Sequence, residues 1–195
     1  MDTTSLSLLG RAQDGDDSHA WQQLNEVYAP LLAAWMARHG LQTSDIDDIV
    51  QETLLAVSKE LPNFEHSGNA GAFRTWLRRI MVFRMRNFWR TRNRHPQGRG
   101  ESDFVKQLAE LEDPHSQLTR QWEREHDRRL LHRLLALIGP RFQQNTREAF
   151  RRVALEGESA QKVADDLGMS LNAVVIAKSR VLRELRREGH GLFDA

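Results

Sequence analysis

The chain of 195 residues is 39% hydrophobic and 28% charged and has a formal net charge of +1, which predicts a soluble globular protein of one large or two small domains. It contains no apolar run of about 18 residues and no basic-then-apolar leader, so we expect no membrane span, no secretory signal and a cytoplasmic location. The absence of cysteine excludes disulfides, thiolate metal sites and cysteine nucleophiles.

Charge is distributed unevenly along the chain. Residues 1–70 carry three basic and eleven acidic side chains, whereas residues 71–100 carry nine basic and no acidic ones. Two surfaces of opposite sign indicate two different partners.

Two amphipathic helices are predicted in the acidic part of the chain. Residues 18–39 have apolar residues at spacings of three and four, although Pro30 should kink or split this helix. Ser44 and Asp47 match a capping box, which predicts the start of a second helix that ends at Pro62.

The outer face of the second helix is acidic and polar. Its four residues are Asp47, Asp48, Gln51 and Glu52. A catalytic carboxylate pair or a metal site is one interpretation, but no histidine lies at ligand spacing and nothing indicates burial. We therefore interpret the face as a protein-docking surface and expect no metal and no catalytic residue.

Residues 73–94 interleave eight arginines with aromatic residues and contain no acidic residue. On a helix, an apolar face lies opposite a cationic stripe that carries an exposed ring. The apolar face contains Phe73, Leu77, Ile80, Met81, Met85 and Phe88, and the stripe contains Arg79, Phe83, Arg86, Arg90 and Arg94. A solvated helix face normally mixes charges of both signs, so the stripe favours a polyanion, and its aromatic residues favour unstacked bases over plain duplex.

The preceding loop, residues 63–72, is rich in Gly, Asn and Ser and contains Phe64 and His66. A flexible polar loop beside a basic aromatic surface is a plausible pocket for a base. An ordinary connector is the alternative interpretation.

The second half of the chain is also predicted to be helical. A Pro/Gly-rich break after Arg94 predicts a domain boundary, and residues 103–111 are predicted as a short helix within a linker. A further helix begins near Ser116 and stops at Gly139, and residues 146–155 continue the helical pattern. No stretch alternates as a strand would, so we predict an all-α fold of two small helical domains joined by a linker.

Residues 159–188 predict a helix-turn-helix. Gly168 makes the turn, Ser170 caps the second helix, and apolar residues of both helices build a small core. The opposite face of the second helix carries Asn172, Ile176, Ser179, Arg180, Arg183 and Arg187. This set suits a reader of the DNA major groove, although helical hairpins with a glycine turn also occur as plain structure.

Three strings carry a resemblance to a known family: DIDDIVQETLLAVSKEL at residues 45–61, FRTWLRRI at residues 73–80 and AKSRVLRELRRE at residues 177–188. In this order they resemble an extracytoplasmic-function (ECF) RNA polymerase sigma factor of the sigma-70 family that has regions 2 and 4 only.

The resemblance implies a role for each part of the chain. Residues 1–95 would form a region 2-like domain that docks on bacterial RNA polymerase core and opens the minus-ten promoter element. Residues 96–118 would form a linker, and residues 119–195 a region 4-like helix-turn-helix domain that reads the minus-thirty-five element. The implied core contacts are Asp47, Asp48, Gln51 and Glu52. The implied minus-ten contacts are Asn63, Phe64, His66, Arg74, Trp76, Arg79, Phe83, Arg86, Asn87 and Arg90. The implied minus-thirty-five contacts are Ser170, Asn172, Ile176, Ser179, Arg180, Arg183 and Arg187.

The implied partners are polymerase core and promoter DNA, both as duplex and as melted single strand. An anti-sigma factor or another regulator is a further candidate partner, and the resemblance implies no cofactor and no membrane.

An autonomous helix-turn-helix regulator is the alternative, but it leaves the acidic and arginine-rich helices without a role. A small all-α enzyme acting on nucleic acid needs a catalytic constellation. His126 and His132 lie on different helix faces and no metal motif is present, so we expect no enzyme activity.

Overall fold

Amphipathic helices joined by short turns make up the described part of the chain. The computed structural model describes residues 7–14, 17–67, 69, 71–92 and 101–192, and no strand is present within these ranges, which confirms the predicted all-α class. The helices are α1 (Leu8–Gln13), α2 (Ser18–Arg38), α3 (Thr43–Glu60), α4 (Ala72–Arg92), α5 (Glu101–Glu112), α6 (Gln117–Ile138), α7 (Gln144–Phe150), α8 (Ala160–Leu167) and α9 (Leu171–Glu188). Short 3₁₀ turns follow α3 and α6 at Leu61–Asn63 and Gly139–Arg141, and a π turn at Arg151–Leu155 follows α7.

In the ranges given above, no helix combines the length and the apolar character that crossing a bilayer requires.

Helix α2 is continuous, so Pro30 does not split it. Buried side chains lie on both sides of the proline, and the helix packs against α1, α3 and α6. The buried residues are Ala20, Leu24, Val27, Tyr28, Leu31, Leu32, Trp35 and Met36. Burial of so many apolar side chains outweighs the roughly 3 kcal/mol that proline costs inside a helix.

Helix α3 starts two residues earlier than the capping-box pattern predicts, at Thr43 instead of Asp45. Its N-cap is Gln42, whose backbone is extended and whose side chain makes no capping hydrogen bond. The first helical hydrogen bond runs from the Ile46 N–H to the Gln42 carbonyl, at 2.9 Å. Ser44 lies inside the first turn, where its hydroxyl donates to the neighbouring Asp45 carboxylate at 3.4 Å. The prediction of a Ser44 cap is therefore wrong.

The helical period predicted for residues 73–94 is confirmed over the described part of α4. Its buried apolar residues are Phe73, Leu77, Ile80, Met81, Val82 and Met85, while Phe88 is half-buried. This face packs against α3 on one side and α5 on the other. Residues of the linker therefore form a helix, as predicted, and that helix lies on α4.

Helix α6 packs along α2 and joins the two predicted domains through a shared core. The Ser116 hydroxyl caps it by accepting the Thr119 N–H at 2.9 Å, which confirms the predicted start. The rings of Trp35 and Trp122 meet edge to face across this seam, with centroids 5.3 Å apart, and both side chains are buried. Apolar residues of α1 to α6 and of the C-terminal helices belong to one contiguous buried cluster.

Helices α7, α8 and α9 form the smaller C-terminal unit around Ala149, Val163, Ala164, Val174 and Ala177. Gly168 ends α8 in the left-handed region, with φ +62°, where a residue without a Cβ is favoured. Ser170 then caps α9 by accepting the Ala173 N–H at 3.1 Å. Both turn residues thus take the positions predicted for them.

The end of α9 returns to α1. Glu188 is 1% exposed and accepts hydrogen bonds from Arg11 of α1 at 3.2 Å and from Arg141 at 2.5 Å. Beyond the helix, Leu192 is buried, and the Gly191 backbone lies so close to Leu9 that an added Cβ would be 3.0 Å from that side chain. The last described residues therefore hold the C-terminal helices against the N-terminal bundle.

Candidate nucleic-acid and protein interfaces

The acidic face predicted on α3 is exposed, and its four residues Asp47, Asp48, Gln51 and Glu52 all reach solvent. Apolar residues Ile46, Ile49, Val50 and Leu54 on the other side of the helix are buried. The acidic side chains therefore reach solvent as predicted, and their role in docking stays a prediction. Within the described residues, no group of three or more His, Asp or Glu side chains is arranged to hold a metal ion.

A groove of about 390 Å³ runs between α2 and α3 beside the acidic face. Asp47 and Gln51 form part of its rim, and Trp21 and Leu55 form part of its apolar lining. Leu55 is 53% exposed, so it presents an apolar side chain next to the acidic rim. Leu55 is not among the predicted docking residues, although it lies one turn after Gln51 and therefore on the same side of α3.

On α4, the stripe residues Arg79, Phe83, Arg86 and Arg90 are exposed, as predicted; Arg94 lies outside the described residues. Phe83 is 55% exposed, and the Arg84 guanidinium carbon lies 5.6 Å from the centroid of its ring. An aromatic ring flanked by guanidinium groups can stack against a base while the arginines meet phosphates.

Phe83 also lines a cleft of about 370 Å³ between α4 and the turn that joins α5 to α6. Thr75, Arg78 and Arg79 line the α4 side, and Leu111, Glu112 and Pro114 line the other. The ring therefore stands at the edge of a concavity with both apolar and cationic walls.

Arg74 lies apart from the exposed stripe, beneath α6. It is 8% exposed, and its Nη1 is 2.7 Å from both carboxylate oxygens of Asp127. Arg78, which is 4% exposed, has Glu123 at 3.8 Å. In this arrangement the two arginines anchor α4 to α6, and the assignment of Arg74 as a DNA contact stays a prediction.

The Asp127 carboxylate belongs to a polar network that crosses the seam. Its Oδ1 lies 2.9 Å from Nδ1 of His126, whose Nε2 is 3.4 Å from the Tyr28 hydroxyl of α2. Burial alone would raise the pKa of Asp127, but hydrogen bonds from His126 and Arg74 lower it on balance. Burial and the Asp127 charge raise the pKa of Tyr28, so that hydroxyl stays protonated. His132 is exposed, and the predicted separation of the two histidines is confirmed.

A third acidic residue meets α4 from the linker helix. The Glu112 carboxylate lies 2.8 Å from Nη2 of Arg86. At the C-terminal end of the stripe, Arg90 donates to the Asn87 side chain at 3.2 Å. Glu112, Glu123 and Asp127 thus provide carboxylates to three of the arginines of α4.

The loop before α4 is partly built into an aromatic cluster. Phe64 lies 4.8 Å from Trp76 and 5.6 Å from Phe73, measured between ring centroids, and its carbonyl accepts from Gln13 at 2.6 Å. Asn63 and His66 are exposed. The structure therefore brings the aromatic members of the predicted pocket together as packing partners and leaves the polar members at the surface.

The face of α9 opposite its buried side is exposed at every predicted position: Ser170, Asn172, Ile176, Ser179, Arg180, Arg183 and Arg187. Arg187 is already paired, with Glu184 at 2.5 Å and Glu188 at 3.2 Å. Leu171, Val175 and Ile176 are each about half exposed at the start of the helix. Sequence analysis singled out only Ile176; the spacing of Leu171 and Val175, one turn apart, would have found the other two.

Residues 24–95 match the Sigma-70 region 2 family. The RNA polymerase sigma factor NccH of Alcaligenes xylosoxydans xylosoxydans is 33% identical over 181 residues, which are 91% of this chain and 88% of NccH. The chain belongs to the ECF RNA polymerase sigma factors. The sigma factor CnrH of Cupriavidus metallidurans is 28% identical over 86% of this chain and 84% of its own. The ECF sigma-E factor of Haemophilus influenzae is 31% identical over 48% of this chain and 47% of its own.

Membership of this family decides between the two functions that the sequence left open. The region 2 match extends from Leu24 in α2 past the end of α4, so it includes both the acidic face and the arginine stripe. These are the elements that an autonomous helix-turn-helix regulator leaves without a role. The protein is therefore an RNA polymerase sigma factor and not a regulator of that kind.

Proposed function

We propose that this sigma factor directs bacterial RNA polymerase core to promoters through three surfaces, and that it is a binding subunit without an active site of its own. The acidic face of α3 docks on the core, the stripe of α4 with residues 63–72 recognises and opens the minus-ten element, and the exposed face of α9 reads the minus-thirty-five element. Such a subunit acts in the bacterial cytoplasm, where the polymerase transcribes.

The opposite charge of two adjoining helices carries this proposal. Helices α3 and α4 pack against each other, yet α3 exposes carboxylates and α4 exposes arginines with an aromatic ring. A protein surface and a polyanion can thus be bound side by side on one rigid bundle.

The α4 surface suits melted DNA because it combines charge with a ring. Phosphates supply most of the affinity of nucleic-acid binding, and stacking on an aromatic side chain supplies about 1 to 3 kcal/mol per base. The cleft beside Phe83 gives an unstacked base a concave surface on which to rest. In duplex DNA the bases are stacked on one another, so the ring favours the open strand.

The exposed face of α9 suits contact with base edges in the major groove of duplex DNA. Arg180 and Arg183 reach solvent from the face that lies away from the core, and arginine bonds the guanine edge in the major groove through two donors. The exposed Ile176 and Val175 lie nearer the start of the helix, where an apolar side chain can contact a thymine methyl group.

An anti-sigma factor is a further partner in this proposal. A regulator that covers the groove between α2 and α3 would compete with the polymerase core for Asp47, Gln51 and Leu55. Apolar contact with Leu55 would provide affinity, and contacts with the acidic rim would provide specificity.

The experiment that tests the proposal measures binding to purified core without DNA. Asp48→Lys with Glu52→Lys should weaken core binding by about 1 to 3 kcal/mol, since docking of oppositely charged surfaces is lost. The fold should be kept, because exposed side chains contribute little to stability.

Glu26→Lys with Glu60→Lys is the matched control, since both glutamates are exposed and neither lines the groove or belongs to the four docking residues. It makes the same change of charge and should bind core as the parent protein does. Equal binding by both double variants would remove α3 from the docking surface. A parent protein that binds promoter duplex with sequence preference in the absence of core would show that promoter recognition does not depend on docking.

A further inference from the structure

A basic cleft of about 380 Å³ lies between α2 and α6, on neither the docking face nor the two DNA surfaces described above. Helix α2 contributes Arg38 together with Pro30 and Leu31, and α6 contributes Glu125, Arg128, Arg129, His132 and Arg133. Its volume is in the range of small-molecule sites, about 300 to 1,000 Å³.

The positive charges of the cleft exceed its negative charges. Four arginines line it against one carboxylate, and that carboxylate is occupied: Arg38 donates to both oxygens of Glu125, with Nη1 2.8 Å from Oε1. In the described part of the chain, Arg128, Arg129 and Arg133 make no ion pair. Three guanidinium groups are therefore available to an anion that enters the cleft.

Arg38 and Arg129 lie close enough together in the cleft for the charge of one to affect the other. Burial lowers the pKa of Arg38, and the positive charge of Arg129 lowers it further. Arg129 is half-buried, so the surrounding water screens its charge less than it would screen an exposed one. The fold thus gathers four arginines here and neutralises only one of them, Arg38, through Glu125.

We propose that this cleft binds a small anion that carries two or more phosphate groups. Guanidinium forks donate two parallel hydrogen bonds to a phosphate, and several forks around one concavity match a chain of phosphates better than a single one. Pro30 and Leu31 provide an apolar patch for the part of the ligand that carries no charge. A nucleoside polyphosphate combines these two features.

Because the walls of the cleft belong to α2 and α6, a bound anion links the two helices. It stabilises the arrangement in which they are packed together, by a free energy that grows with the logarithm of its concentration relative to its Kd. Binding needs neither polymerase nor promoter, so this proposal and the proposed function can fail separately.

The test is isothermal titration of the full chain with sodium tripolyphosphate at fixed low ionic strength. We expect saturable binding of one anion per chain. Arg129→Gln with Arg133→Gln should weaken it at least tenfold, because two of the three available forks are lost. Arg133→Glu alone should also weaken binding of the anion. Because Arg133 is exposed, this variant tests the cleft without changing the half-buried Arg129.

Arg120→Gln with Arg124→Gln is the matched control, since both arginines are exposed on α6 and neither lines the cleft. It should bind tripolyphosphate within about twofold of the parent. Absence of saturable binding to the parent, or equal weakening in the control, would overturn the proposal.

A second arm separates the two sources of phosphate. A nucleoside triphosphate and a duplex without promoter sequence are titrated against the parent and the Arg129→Gln/Arg133→Gln variant. Loss of triphosphate binding in that variant supports the small-anion site. If the variant loses only duplex binding, and neither small anion binds the parent saturably, the cleft is a contact for the DNA backbone. That result would overturn the proposal of a small-anion site.

Discussion

At the scale of single residues, the exposed ring of Phe83 presents an apolar face on which a base can stack. More than half of this side chain is exposed at the edge of a cleft, whereas the apolar residues on the other face of α4 are buried. Phe83→Ala should remove a stacking platform worth about 1 to 3 kcal/mol per base, so promoter melting falls while contacts with duplex are largely kept. Permanganate footprinting of the open complex measures the melted bases.

Leu155→Ala is the control for Phe83→Ala, because Leu155 is also an exposed apolar residue but lies at the end of the π turn after α7. It should melt the promoter as the parent does. An unchanged bubble with Phe83→Ala would exclude a stacking role for this ring.

Three exposed arginines of α9 differ in their position along the helix and in their ion pairs. Arg180 and Arg183 are exposed near the middle of the helix, whereas Arg187 is paired with Glu184 and Glu188 close to its end. Alanine at Arg180 or Arg183 should relax preference at particular upstream bases by about 1 to 3 kcal/mol. Alanine at Arg187 should weaken binding evenly across sequences, as expected for a phosphate contact.

A promoter library transcribed by the reconstituted holoenzyme distinguishes these outcomes. Arg147→Ala, a change at an exposed arginine on α7, should leave the preference unchanged. Arg183→Ala could instead weaken binding uniformly across promoters while Arg187→Ala changes the base preference. That result would reverse the assignment and exclude base readout by the middle of α9.

At the scale of helices, periodicity predicted which faces are buried but not what covers them. The apolar face of α4 and the Gly168–Ser170 turn follow from local spacing, so sequence analysis located both. The predicted start of α3 was wrong. Gln42 caps that helix with an extended backbone and no side-chain hydrogen bond, so the sequence carries no capping signal there. The exposure of Leu55 could not be predicted, since spacing places it on a face without showing whether another helix lies there.

Ion pairs between distant helices had no sequence signal at all. Arg74 and Asp127 are separated by 53 residues along the chain, yet their side chains are 2.7 Å apart. In the sequence the eight arginines of residues 73–94 have no acidic residue among them, which favoured a polyanion as the partner of the helix. Tertiary contacts instead bring carboxylates from α5 and α6 to three of those arginines.

At the scale of the whole molecule, these contacts predict a loss of stability in acid. The folded-state pKa values of Asp127 and Glu188 are both lowered, on balance, by their cationic partners despite burial. Each carboxylate therefore stabilises the fold above its unfolded pKa, near 4, and this contribution is lost as the pH falls through the lower folded value. The free energy of unfolding by urea should be lower at pH 3 than at pH 6.

Asp127→Asn should reduce this pH dependence and lower the free energy of unfolding at pH 7 by about 1 to 3 kcal/mol, because Arg74 stays buried with a weaker partner. The half-exposed carboxylate favours the lower end of that range. Glu110→Gln, at an exposed site on α5, is the control and should leave the stability unchanged. A parent protein whose stability does not change between the two pH values would contradict the role given to the network.

The edge-to-face pair of Trp35 and Trp122 gives the seam between α2 and α6 an intrinsic fluorescence signal. Both indoles are fully buried against each other, so their emission in the packed chain is that of tryptophan in an apolar, water-free environment. Any event that moves α6 away from α2 transfers both rings to water together and shifts that emission to longer wavelength. In a variant with phenylalanine in place of Trp21, Trp76 and Trp89, which lie away from this pair, the effect of polymerase, DNA or a phosphate-bearing ligand on the seam can therefore be followed without attaching a dye.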